Sequence, residues 1–169
     1  TAQVEKNALQ PEPILMAAIR WLRNNPPLPA QRLSIVHGDY RNGNVLHDGN
    51  ANIIAVLDWE MAHIGDPLED LAWALDPLWN LQDPVRAAGL IDKADAIRLW
   101  EEASGVSFDA TAFRWWEMFA TVKGLAIWIS SGHANIGGIN TDPVLAFSSW
   151  YPKTLGNHAI ARRFVEFLS

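Results

Sequence analysis

IVHGDYRNGNVLHD, residues Ile35–Asp48, decides how this chain is read. An apolar run enters at Ile35 and Val36. It is then interrupted by two glycines, two asparagines, an arginine and an acid before Val45 and Leu46 resume. RLSIVHGD, ending at Asp39, reads as one strand. NVLHDGNANIIAVLDWE, from Asn44 to Glu60, reads as two strands around a turn at residues 48–51, where Gly49 and Asn50 tolerate left-handed backbone. Such a hairpin folds antiparallel and brings its first residue, Asn44, back beside its last, Asp58. Asp39 lies in the loop just before. Asp39, Asn44 and Asp58 are therefore expected at one edge of a small β unit. Two carboxylates and an amide oxygen are hard ligands, and they suit Mg²⁺, which takes one or two carboxylates and shares itself with waters and phosphate oxygens.

Upstream of this stretch, Ile14, Leu15, Ala18, Ile19 and Leu22 recur at helical spacing, and NNPPLP (Asn24–Pro29) ends that helix. Downstream of Asp58 the β signal fades. From Asp66 to Ser169 the pattern is helical, with breaks expected at Asp83-Pro84, Gly105, Gly137-Gly138 and Pro152, and a loop over Ser131–Pro143. The helix after Asp66 has a marked start: Asp66 caps, Pro67 takes the first position and Glu69 follows three residues after the cap. Leu68, Leu71, Ala72 and Leu75 form an apolar face, while Trp73 and Ala74 lie on the other side and flank Asp70. A helix apolar nearly all round is buried. Asp70 is then expected to be buried as well, with donors supplied by the polar stretch Ile35–Asp48.

The 169 residues suit a single domain, residues 1–169, with a real core. A hydrophobic fraction of 49% against 19% charged excludes a disordered chain. The net charge is −6 without a Lys/Arg cluster, so nucleic acid is not an expected partner. No apolar stretch reaches membrane-spanning length, so neither is a membrane. With no cysteine, disulfides and thiolate metal sites are excluded, and the chain fits the reducing cytoplasm. It begins at Thr1, not Met, as a processed product or a piece of something longer would.

HGDYRNGN (His37–Asn44) followed by VLDWE (Val56–Glu60) resembles the aminoglycoside phosphotransferase and choline kinase family, relatives of the protein kinases. The family pattern is His-Gly-Asp, four residues, Asn, then an Asp fourteen residues further on, met here by His37, Gly38, Asp39, Asn44 and Asp58. GDPLEDLAW (Gly65–Trp73) resembles the segment that follows. The wording is most similar to the branch found with acyl-CoA dehydrogenases, which acts on hydroxyacyl-CoA. The resemblance implies an α+β fold: a mostly helical, kinase-like C-terminal lobe with a small β-hairpin unit carrying the catalytic loop. It implies γ-phosphoryl transfer from ATP to a hydroxyl of a small molecule. Asp39 would orient the acceptor hydroxyl and take its proton. Arg41 would offset charge on the transferred group. Asn44 and Asp58 would hold Mg²⁺ against the nucleotide. Asp70 and His37 would support the loop.

Such kinases also need a Gly-rich loop and a strand Lys over the phosphates. The residues before His37 contain no Gly, and Lys6 lies in no strand pattern. The chain is therefore expected to be the C-terminal lobe alone. The N-terminal nucleotide-covering lobe is absent from it and would dock on it, and the fragment by itself is expected to be inactive.

Plainer readings stand beside these. Asp39, Asn44 and Asp58 could each be an ordinary turn residue, but the three match together. Arg41 is equally a solvated loop residue or a partner for Glu60. His47 reads as a strand residue facing solvent or the missing lobe. His63, His133 and His158 share no metal-site spacing. Most of the nine Trp are core, with Trp79, Trp128 and Trp150 as candidates for an acceptor pocket. Two rival functions are an inactive kinase-like binding module and a metal-dependent phosphate-ester hydrolase. The acceptor itself is not legible.

Overall fold

The computed structural model describes residues 2–50, 52–80 and 86–168. The helices are α1 (Ala2–Asn7), α2 (Pro13–Asn24), α3 (Leu68–Ala74), α4 (Lys93–Ser104), α5 (Ala110–Ile136) and α6 (Pro143–Leu168). The strands are β1 (Ser34–Val36), β2 (Val45–His47), β3 (Ile53–Val56), β4 (His63–Gly65), β5 (Arg86–Ala87) and β6 (Ile91–Asp92). The fold is thus α+β and mostly helical. Two compact units divide the chain: Thr1–Pro26 with Met118–Ser169, and Pro27–Glu117.

The first unit is helical. Leu15, Ala18, Ile19 and Leu22 of α2 are buried, as their spacing predicts, but Ile14 is 40% exposed. Met118, Leu125 and Ile129 of α5 and Ile160 of α6 complete the core. Trp21 stacks on Phe167 with centroids 4.9 Å apart. Lys153 pairs with the buried Glu12 at 2.5 Å. The expected break at Pro152 does not occur, and α6 runs through it. Packing on both sides of the proline holds the helix: Ser149 lies against Gly132, Lys153 pairs with Glu12, and Gly156 lies against Leu125. These contacts outweigh one lost backbone hydrogen bond. The loop expected over Ser131–Pro143 is shorter, because α5 continues to Ile136; the glycines at 137 and 138 stop it, the second at φ 69°.

The second unit carries three two-stranded antiparallel sheets, β1 with β4, β2 with β3, and β5 with β6. The hairpin expected around residues 48–51 is present, with Val45 opposite Val56. Asp48 builds its turn by accepting N–H bonds from Asn50 (2.7 Å) and Asn52 (3.2 Å). The β signal does not end at Asp58, however. β4 pairs with β1 in the register Ser34–Gly65, Ile35–Ile64, Val36–His63. A three-residue strand is too short to display a period and owes its conformation to its partner. The helix break at Gly105 is found, with φ 67°; Asp83-Pro84 lies outside the described residues.

Candidate active site

β1 delivers the polar stretch to its place. Val36 is fully buried, His37 nearly so, and the chain then turns at Gly38 with φ 84°. A Cβ on Gly38 would lie 2.7 Å from the carbonyl oxygen of Met61, so both conformation and space demand glycine. His37 ties the turn to the residue just past β3: its Nε2 lies 2.8 Å from the carbonyl of Leu57 and can only donate there. Its Nδ1 is left to accept the N–H of Asp39 at 3.1 Å.

Asp70 braces the same turn from α3. One carboxylate oxygen accepts the N–H of His37 at 2.6 Å and the other that of Gly38 at 2.9 Å. The expected donors are therefore the real ones. The expected burial is only partial: Asp70 is half-buried, and its neighbour Glu69 is the buried acid, 3.2 Å from Nε2 of His63. The Asp66 carboxylate accepts the Leu68 N–H at 2.9 Å, as expected of a cap, but α3 begins at Leu68, after Pro67, and Glu69 is turned to His63 and closes no capping box.

Asp39 and Asn44 meet directly. The Asn44 amide donates to the Asp39 carboxylate at 2.7 Å and to its carbonyl at 2.9 Å. Asn44 is buried within a 3-10 turn, Asn42–Asn44. Its carbonyl accepts the Leu57 N–H at 2.8 Å, which extends the β2–β3 ladder to the residue before Asp58. Asp58 itself is exposed and left-handed, at φ 68° and ψ 56°. Such a conformation is uncommon for most residues with a side chain, although Asp adopts it more readily than others. Arg41 pairs with Asp39, its Nε 3.3 Å from both carboxylate oxygens, and sits 5.1 Å over the ring of Trp79.

One residue of the cluster escaped the sequence reading. The indole N–H of Trp73 donates to the Asp39 carboxylate at 2.7 Å. Trp73 follows Asp70 by one helical turn, so both lie on one face of α3. Once Asp70 was expected to face the loop, Trp73 had to face it too. Trp79 joins by donating its indole N–H to the Trp73 carbonyl at 2.7 Å.

Asn44 and Asp58 fit a magnesium ion in type. With the Asn44 nitrogen spent on Asp39, its oxygen is the atom left for a cation, and Asp58 adds a carboxylate. Among the described residues no three His, Cys, Asp or Glu gather as a metal site; two protein ligands completed by phosphate oxygens and water are what Mg²⁺ ordinarily uses.

A family model described as "Phosphotransferase enzyme family" matches residues 1–125. Human acyl-CoA dehydrogenase family member 11 is 35% identical over 104 residues, 60% of this chain and 13% of that protein. Its Gallus gallus counterpart is 41% identical over 63 residues, 37% of this chain and 8% of that protein. Mouse acyl-CoA dehydrogenase family member 10 is also 41% identical over 63 residues, 6% of its length. The chain thus spans a small part of these relatives. A crystal structure of a Ralstonia eutropha protein assigned as an aminoglycoside phosphotransferase aligns with a TM-score of 0.78 at 21% identity, over 96% of this chain and 52% of that one. A thermostable aminoglycoside phosphotransferase mutant in its apo form aligns with a TM-score of 0.51 at 21% identity, over 88% and 42%.

Proposed function

The chain belongs to the phosphotransferase enzyme family, and on that premise we propose that it is the catalytic and acceptor-binding lobe of an ATP-dependent small-molecule kinase. The observation that carries this reading is the Asp39–Asn44 pair, on a loop braced by Asp70 and one residue removed, through Leu57, from Asp58. Asp39 takes the acceptor hydroxyl into hydrogen-bond reach and receives its proton as the phosphoryl group transfers. Arg41, beside it, offsets charge on the transferring oxygens. Asn44 and Asp58 would hold Mg²⁺, which when bound supplies positive charge to the nucleotide phosphates. His37 and Asp70 keep the loop rigid without touching the reacting groups.

The donor lobe is proposed to come from outside residues 1–169, and cytoplasmic location remains part of the reading. Among the described residues no helix is long and apolar enough to cross a membrane. The relatives' association with acyl-CoA dehydrogenases makes a hydroxyacyl-CoA the first acceptor to try, ahead of choline-like and aminoglycoside hydroxyls.

The test is transfer of label from γ-labelled Mg·ATP, with GTP as the alternative donor, by the full-length protein that carries this chain. The acceptors are 3-hydroxybutyryl-CoA, choline and kanamycin. Phosphorylation of at least one acceptor is expected. No transfer to any of them, together with hydrolysis of p-nitrophenyl phosphate without nucleotide, would favour the hydrolase instead; neither activity would favour the inactive binding module.

A further inference from the structure

The Asp39 carboxylate is held at both oxygens. Trp73 donates to Oδ1 and Asn44 to Oδ2, each at 2.7 Å. Two short bonds on opposite oxygens fix the plane of a carboxylate, which would otherwise turn freely about its last torsion. Trp73 is 4% exposed, so a Phe would keep an aromatic ring in the site, at the loss of part of the indole's bulk and of its N–H. What the indole adds is a donor, and it is spent on Asp39. The third partner, Arg41, lies at 3.3 Å from both oxygens, beyond the usual 2.7–2.9 Å of a charge-assisted bond. Arg41 is instead seated by the face of Trp79, whose own N–H is anchored on the Trp73 carbonyl and whose ring lies 5.0 Å from that of Trp73.

We propose that Trp73 and Trp79 are a positioning pair for phosphoryl transfer: Trp73 fixes the carboxylate plane of Asp39, and Trp79 provides the platform on which Arg41 rests beside it. The inference rests on the reading of Asp39 as the base and goes beyond it by naming what aims that base. The division of labour follows from the distances. Arg41 can turn its guanidinium toward an arriving phosphoryl group by giving up its two long contacts, while Trp73 and Asn44 keep the carboxylate in line. Effective base catalysis needs a lone pair held in one direction, and small misalignments cost rate steeply.

Trp73→Phe tests this in the full-length protein, with the acceptor that gives turnover. kcat is expected to fall about tenfold or more, the worth of one hydrogen bond to a charged group, with KM for ATP unchanged. Added to Asp39→Asn, the same substitution is expected to change kcat by less than about twofold, because the group it positions is already gone. Wild-type kcat in Trp73→Phe, or an equal loss in both backgrounds, overturns the inference. A second measurement does not depend on that variant folding. In protein labelled with ¹⁵N at the indole nitrogens, the Trp73 Nε1–H resonance is expected to move in Asp39→Asn, and an unmoved resonance overturns the inference. The two levels separate cleanly. Wild-type turnover in Asp39→Asn, or no turnover with any acceptor, sinks the reading of Asp39 and this inference with it. A slow Asp39→Asn beside a normal Trp73→Phe sinks only the inference.

Discussion

Asp70 shows what a single side chain does here. Its two oxygens receive consecutive backbone N–H groups, those of His37 and Gly38, and so fix the turn that presents Asp39. Asp70→Ala would leave both donors without their acceptor and should destabilise the protein by roughly 1–3 kcal/mol. Urea unfolding of the two forms measures this, and a loss below about 0.5 kcal/mol, the ordinary scatter of surface substitutions, would contradict it. The acid and its donors were legible in the sequence because a carboxylate among apolar helix positions must find partners and only one polar segment was near. The facing of Trp73 was legible by the same helix geometry, but the use of its N–H was not. An indole among Leu and Ala on a buried helix reads as packing, and its N–H reaches Asp39 across 34 residues of sequence. Arg41 could not be told from a solvated loop residue either, since the Trp79 face that seats it also arrives from far along the chain.

At the scale of elements, the hairpin was legible and its partner strand was not. Gly49 and Asn50 between two apolar runs announce a turn by local chemistry. β4 announces nothing: Ile64 is 65% exposed and stands opposite Ile35, itself 69% exposed. Pro152 misled in the opposite direction: a local breaker was overridden by packing along α6. The hairpin turn carries a prediction of its own. The side-chain amide of Asn52, then the N–H of Asn50, hold the Asp48 carboxyl below its ordinary value of 3.8. A depressed carboxyl stabilises the folded turn above that ordinary value, and the contribution is lost as pH falls through the depressed one. An NMR acid titration should therefore show the Asn50 and Asn52 amides moving together with a midpoint below 3.8. A midpoint at or above it would mean that the turn bonds do not hold the charged form.

For the molecule as a whole, the apolar surface of the β unit has a consequence. Besides Ile35 and Ile64, the hairpin leaves Leu46, Ile53 and Ile54 exposed. On the proposed reading this surface meets the nucleotide-covering lobe, which supplies most contacts to the adenine and the outer phosphates. Residues 1–169 alone should then bind Mg·ATP weakly and transfer no phosphate at a useful rate. Calorimetry on the isolated chain checks this, and micromolar affinity with measurable transfer would contradict the division into lobes. The helical body and the catalytic loop were legible because each rests on local pattern. The division into two compact units was not, since it cuts across α5, a helix whose sequence runs without a break.

On the proposed reading, Asp39 is the base of a phosphoryl transfer whose nucleotide and metal are held by other groups. The direct test is Asp39→Asn in the full-length protein, with turnover and Mg·ATP affinity measured side by side. The amide keeps the size of the side chain and removes its ability to take a proton. Turnover should fall by about 10²–10⁴, with Mg·ATP affinity close to wild type. Wild-type turnover in that variant would remove Asp39 from the mechanism.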